Sequence, residues 1–151
     1  MKVADAMNEH VPHIETGTKV TAAARKLART GVADLAVVDG YGRFVGVLSE
    51  GDLLRAVLPA FSELMDRDSL REGYDLFEEA RARVSDHPIE RFLIANPITV
   101  APNDDITRAA GIMAARMIRR LPVVRDEQLI GTIARADICA AALAGVAAAR
   151  G

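Results

Sequence analysis

Gly46-Val47-Leu48-Ser49-Glu50-Gly51-Asp52 is answered 85 positions later by Gly131-Thr132-Ile133-Ala134-Arg135-Ala136-Asp137, and this pairing decides the fold. Upstream the same correspondence continues at an offset of 86: Leu35-Ala36-Val37-Val38 against Leu121-Pro122-Val123-Val124, and Val20-Thr21-Ala22-Ala23-Ala24 against Ile106-Thr107-Arg108-Ala109-Ala110. The offset changes only across the intervening turn, which is one residue shorter in the second copy. A slip confined to a turn is what duplicated structural units tolerate. Two copies of one small unit imply a pseudo-symmetric pair with a cleft between them, where function is to be sought.

Each copy reads the same way. Val20, Ala23, Ala24, Leu27 and Ala28 fall at i, i+3, i+4, i+7 and i+8, the spacing of one helical face. Ile106, Ala109, Ala110, Met113, Ala114 and Met117 repeat it, so both methionines are expected on a buried stripe. Thr18 and Asp104, again 86 apart, are the expected N-caps. An apolar run follows each helix, then a polar turn (39–43 or 125–128), then a second apolar run containing Gly46 or Gly131, which is a hairpin signature. A second helix is expected from Glu50 to about Ala60 and from Arg135 to about Ala149. Short strands are expected at His13-Ile14-Glu15 and Thr99-Val100-Ala101. The unit is therefore β-α-β-β-α, and the fold class α/β (α+β). Residues 1–60 form one repeat, 61–88 a helical insert, and 89–151 the second repeat with its C-terminal helix. The insert carries its own stripe of Leu76, Phe77, Ala80 and Val84 and an i, i+4 pair of Glu79 with Arg83. That stripe covers either its own module or a second subunit.

Composition narrows the function classes. The 151 residues are half hydrophobic and about a quarter charged, as in ordinary globular proteins, and the net charge of −2 argues against a nucleic-acid binder. Cys139 is the sole cysteine, which excludes an intramolecular disulfide and suits a reducing, cytoplasmic setting. Within the Ala-rich run 136–149 it is expected to be a small buried thiol. No stretch reaches the ~18 consecutive apolar residues of a membrane span, and the first residues lack a signal-peptide core. His10, His13 and His87 lack metal-ligand spacing. No Walker loop, Gly-x-Gly-x-x-Gly or Ser-His-Asp arrangement appears, so no catalytic residue, resident cofactor or metal is expected.

The capped apolar helix, the strand ending in Val-Val and the pattern Gly-apolar-apolar-Ser/Thr-x-x-Asp resemble the CBS domain. Two in tandem resemble a CBS pair, or Bateman module, covering about Val3 to Ala60 and Ile89 to Leu143. The resemblance implies an adenosyl ligand (AMP, ADP, ATP or S-adenosylmethionine) bound between the repeats, association into a homodimer, and regulation of an unidentified effector protein. With no effector domain attached to this chain, a stand-alone sensor is expected. The competing reading is a ligand-free structural module that mediates oligomerisation.

By that resemblance the first site draws Val47, Ser49 and Asp52 from repeat 1 and Pro97, Ile98, Ile118, Arg119 and Arg120 from repeat 2. Ile98 and Ile118 would sandwich the adenine, and Asp52 would accept from the ribose diol. Arg119 and Arg120 would meet the phosphates. The mirror site would use Asp137 with Pro12, Val32, Ala33 and Asp34. There Ala134 replaces the hydroxyl and Asp34 stands where Arg120 stands in the first. A carboxylate disfavours a phosphate tail, so the mirror site should be empty, weak or suited to a less charged ligand, unless Arg119 or Arg135 reaches into it. Ser49-x-x-Asp52 also fits a capping box that needs no ligand. The persistence of Asp137 beside Ala134 counts against that plainer explanation.

Overall fold

The computed structural model describes residues 1–57, 78–79 and 81–144. Leu76, Phe77 and Ala80 of the expected insert stripe lie outside the described residues, as do the far ends of the two second helices beyond 57 and 144. The chain forms two compact units: residues 12–40 with 45–95, and residues 1–11 with 41–44 and 96–151. They are called here the first-repeat and second-repeat units.

In the first-repeat unit, β1 (His13–Glu15) runs parallel to β2 (Asp34–Val38), in the register Ile14↔Val37. β2 neighbours β3 (Phe44–Ser49), and β3 pairs antiparallel with β4 (Ile94–Ala95), so the sheet order is β1-β2-β3-β4. Gly46 is required where β4 docks, because an added Cβ would come within 2.5 Å of the Ile94 carbonyl oxygen. α2 (Val20–Thr30) buries Val20, Ala23 and Leu27 on the sheet, and α3 (Glu50–Val57) adds Leu53. These residues share a core with Ile14, Leu35, Val37, Leu48, Val84 and Ile89. Val84 is thus the one member of the insert stripe the structure places, and it packs within its own unit.

The second-repeat unit repeats the plan with fewer strands. α1 (Val3–Ala6) is a single turn, α4 (Ile106–Arg116) matches α2, and β5 (Arg120–Arg125) pairs antiparallel with β6 (Gln128–Ala134). The hairpin turn is two residues, Asp126 and Glu127, both with positive φ, the twist that suits tight hairpins. α5 (Arg135–Ala144) follows. The expected strand at 99–101 is reduced to one parallel bridge, Val100↔Val123. Val3, Ala6, Val100, Ala109, Met113, Leu121, Val123, Ile133 and Ala141 form the core.

Each repeat's core is closed by the segment that precedes the other repeat. The Val3 amide donates to Asp104 O at 2.9 Å, and 86 residues on the Ile89 amide donates to Thr18 O at 3.0 Å. Val3 and Ile89 are both fully buried. Full burial of such side chains is worth about 1.5–3 kcal/mol each, enough to hold a short segment on a core. Asn8 bridges Thr132 in one unit as Ile94 pairs with Val47 in the other.

Four expectations need correction. The helix caps are Lys19, which makes no side-chain cap bond, and Asp105, whose carboxylate accepts from the Thr107 amide. Thr18 instead donates its hydroxyl to Glu15 O, and Asp104 accepts from the Ala101 amide, so both serve the turn before the helix. Ala24 and Ala28 are exposed and line a hollow of about 420 Å³ with Leu53 and Leu54. Met117 is 83% exposed, because the chain leaves the helix there in a left-handed conformation at φ 58°. Cys139 is exposed too, about 200° around α5 from buried Ala141.

Candidate functional site

Alternation along β3 sends Leu48 into the core and leaves Val47 and Ser49 on the other face, where the strand runs into α3. The Ser49 hydroxyl donates to Asp52 Oδ2 at 2.5 Å and accepts from the Asp52 amide at 3.1 Å. The Ser49 amide also reaches Oδ2, at 3.3 Å. Arg55, one turn on, donates to Oδ1. The Asp52 carboxylate is 13% exposed, whereas the Arg55 side chain is 74% exposed. This is a complete capping box, and the α3 dipole favours the negative charge. Oδ2 already accepts twice. Among the described residues Oδ1 accepts once, from a largely exposed partner, so it is the atom with capacity for another donor.

The start of α5 preserves half of this. Asp137 Oδ2 accepts the Ala134 amide at 2.7 Å, with no hydroxyl to share. The acid therefore has a backbone partner in both units, and its persistence beside Ala134 does not argue against a capping role. What the second-repeat unit adds is Arg135. Its amide donates to Arg119 O at 3.0 Å, as the Glu50 amide donates to Ala33 O at 2.9 Å. Its guanidinium then turns back onto the end of α4, Nε to Ile118 O and Nη2 to Met113 O, each at 2.9 Å.

Of the expected site residues, Val47, Ser49 and Asp52 lie together at the β3–α3 junction of the first-repeat unit. Pro97, Ile98, Ile118, Arg119, Arg120 and Asp137 lie in the second-repeat unit. Asn96, at φ 51°, turns the chain into Pro97, and Ile98 is 39% exposed. Ile118 packs partly on the core, Arg119 is exposed, and Arg120 opens β5 opposite Ala134. Of the mirror residues, Pro12 O accepts the Ala36 amide, and Val32, Ala33 and Asp34 lead into and open β2. Arg55 escaped the sequence reading, and Arg135 entered it only as a side chain that could reach into the mirror site, whereas its guanidinium is bonded to carbonyls of its own unit. An Asp-x-x-Arg pair on one helix was a legible signal for Arg55. The exchange of Glu50 for Arg135 at matched positions was the signal for the other.

No group of acidic, His or Cys side chains that could hold a metal occurs among the described residues, and no described helix is long and apolar enough to cross a membrane.

Two tandem units of this topology, each with a strand running into an acid-bearing helix start, define a duplicated α/β fold. The CBS domain family model matches residues 3–59 and 84–144, and the chain belongs to that family. The crystal structure of CBSX2 in complex with AMP is 26% identical, with a TM-score of 0.73, covering 95% of this chain and 96% of that one. The CBS domain pair of protein MJ0100, in complex with 5'-methylthioadenosine and S-adenosyl-L-methionine, is 21% identical with a TM-score of 0.67, covering 92% and 93%. The A-adding tRNA nucleotidyltransferase of Aquifex aeolicus (strain VF5) is 26% identical over 138 residues. Those residues are 91% of this chain and 14% of that enzyme. The chain thus spans a small part of some of the curated relatives it matches.

Proposed function

We propose that this CBS pair is a regulatory sensor that takes an adenosyl ligand in a cleft between its repeats, residues 1–60 and 89–151, and alters the docking of a partner protein. The observation that carries the proposal is the Asp52 carboxylate, fixed at the start of α3 with Oδ1 held, among the described residues, by exposed Arg55 alone. A ribose diol offers two donors to such a carboxylate, and charge-assisted bonds of this kind are worth about 1.5–3 kcal/mol. The AMP complex of CBSX2 and the adenosyl complexes of the MJ0100 domain pair support the ligand class. Ile98 and Ile118 flank the base, and Arg119 with Arg120 takes the phosphates. At the Asp137 site Arg135 is committed to carbonyls of its own unit, which leaves that site suited to an adenosyl group with little negative charge. The sensor works as a homodimer in the cytoplasm, regulates rather than catalyses, and needs no resident cofactor or metal.

A second reading has one observation in its favour: the Ser49–Asp52 box is complete without a ligand, as a purely structural interaction module would have it. Thermal unfolding with AMP, ADP, ATP and S-adenosylmethionine in turn separates the two. Ligand at about a hundred times its Kd stabilises by about 2.7 kcal/mol, which is several degrees for a chain of this size. A flat melting temperature with all four, and no adenosyl mass released on denaturation, would overturn the sensor.

A further inference from the structure

We infer that Arg135 is a positioning residue: its guanidinium clamps the Met117–Arg120 segment so that Arg119 and Arg120 are presented in a fixed arrangement to a ligand phosphate. The inference rests on the adenosyl-ligand reading for its functional half, and on geometry inside one unit for the rest.

The segment has an intrinsic problem. α4 ends at Met117 with φ 58°, a left-handed conformation that glycine adopts freely and a side-chain-bearing residue does not; the matching residue of α2 is Gly31, at φ 67°. The chain must therefore be held there by something beyond its own preference. The Met113 carbonyl already accepts the Met117 and Ile118 amides. Arg135 closes the arrangement from the other side, donating Nη2 to Met113 O, Nε to Ile118 O and its own amide to Arg119 O. One residue thus ties carbonyls on both sides of the strained turn, directly before Arg120 enters β5. Two guanidinium nitrogens in one rigid plane suit this task, and a single ammonium cannot span both carbonyls in the same way. The first-repeat unit has glycine at the turn and Glu50 at the clamp position, and a carboxylate cannot donate to carbonyls. Clamp and strain occur in the same repeat, the one that carries the paired arginines.

The test compares the parent with Arg135→Gln, Arg135→Lys and Arg135→Gln/Met117→Gly, all as full-length chains. In ligand-free protein, hydrogen exchange at the Ile118, Arg119 and Arg120 amides should speed up at least tenfold in both single variants and return toward the parent rate in the double variant. By calorimetry, AMP affinity should fall about tenfold in the single variants, and adenosine affinity by less than threefold. A general loss of stability would weaken both ligands alike and speed exchange throughout the unit rather than at 118–120. Unchanged exchange at 118–120 overturns the clamp, as does equal loss of AMP and adenosine. Should the parent bind neither AMP nor adenosine, the phosphate role of Arg119 and Arg120 toward AMP fails, the four-ligand melting series decides the sensor, and the exchange rates still decide the clamp. If Arg135→Gln does not fold, Arg135→Lys carries the comparison.

Discussion

The starts of α3 and α5 are the same structural device built twice, once as Ser49-Glu50-Gly51-Asp52 and once as Ala134-Arg135-Ala136-Asp137. Both aspartates accept the amide of the residue that ends the preceding strand, at 3.3 Å in one unit and 2.7 Å in the other. That shared bond is what the fold itself asks of the acid, since it satisfies an amide at a helix start. Everything else differs. Ser49 adds a hydroxyl, Arg55 adds an exposed cation, and Arg135 spends its guanidinium on the end of the neighbouring helix. Specific function in a duplicated protein is to be sought in such differences, because the common part is already explained by folding.

The largest expected effect lies there. Asp52→Ala should lower AMP affinity roughly ten- to a hundredfold through loss of the diol contacts, whereas Asp137→Ala should change it much less. Calorimetry on the two variants measures both. Equal losses would erase the functional distinction between the units and leave only the shared capping role.

Much of this architecture was legible because a repeat is a long-range signal written locally. The constant offset of 86 paired Leu35 with Leu121 and Val20 with Ile106, and the cores contain all four as buried or packed members. The exchange of leading segments was not read, although Val3 and Ile89 share that offset. Periodicity reports which face of an element is buried, not which unit buries it, and Ile94–Ala95 is too short to alternate. The caps were placed one residue early because Thr18 and Asp104 are good turn formers next to the true boundary. Met117 continues the i+4 pattern from Met113, yet the helix ends on it, and periodicity carries no information about a left-handed turn made by a residue other than glycine. At the site, the Ser49–Asp52 spacing was visible. The partners of Asp137 and Arg135 depend on tertiary placement, and no spacing rule contains them.

A second, smaller difference between the units is the C-cap. Met117→Gly should stabilise the protein by about 0.5–1 kcal/mol: relief of left-handed strain, about 1–2 kcal/mol, is partly offset by the greater backbone freedom glycine has when unfolded. Gly31→Met should destabilise by a similar amount. An added Cβ at Gly31 has nothing within 4 Å, so the first atom of the new side chain adds no clash to the backbone cost. Denaturant midpoints at unchanged slope measure both. A destabilised Met117→Gly would mean that the methionine side chain makes a contact outweighing its strain.

The smallest contrast concerns how each unit holds an acid beside its first helix. Asp105 caps α4, and the hydrogen bond from the Thr107 amide, then that from its hydroxyl, lowers its pKa below the usual carboxylate value. Asp86 is lowered by the hydrogen bond from Lys19 and then by its charge, in an ion pair whose side chains are 62% and 84% exposed. A folded-state pKa below the unfolded one means that each acid stabilises the fold above the ordinary carboxylate range, near pH 4, and that this contribution disappears as pH falls through the folded value. The two should part company in salt. Raising ionic strength screens an exposed ion pair, so the Asp86 pKa should climb back toward that of a free carboxylate. Asp105 should move less, because its main partners are a neutral amide and a hydroxyl rather than a charge. Carboxyl titration curves by NMR at low and high salt read the difference directly, with Asp105→Asn as a control that keeps an acceptor oxygen at the cap and removes the titration. If both acids shifted equally with salt, the Asp105 cap would be acting through the field of Lys2 and the N-terminus, the minor influences on it, and the distinction between a hydrogen-bonded cap in one unit and a charge pair in the other would fail.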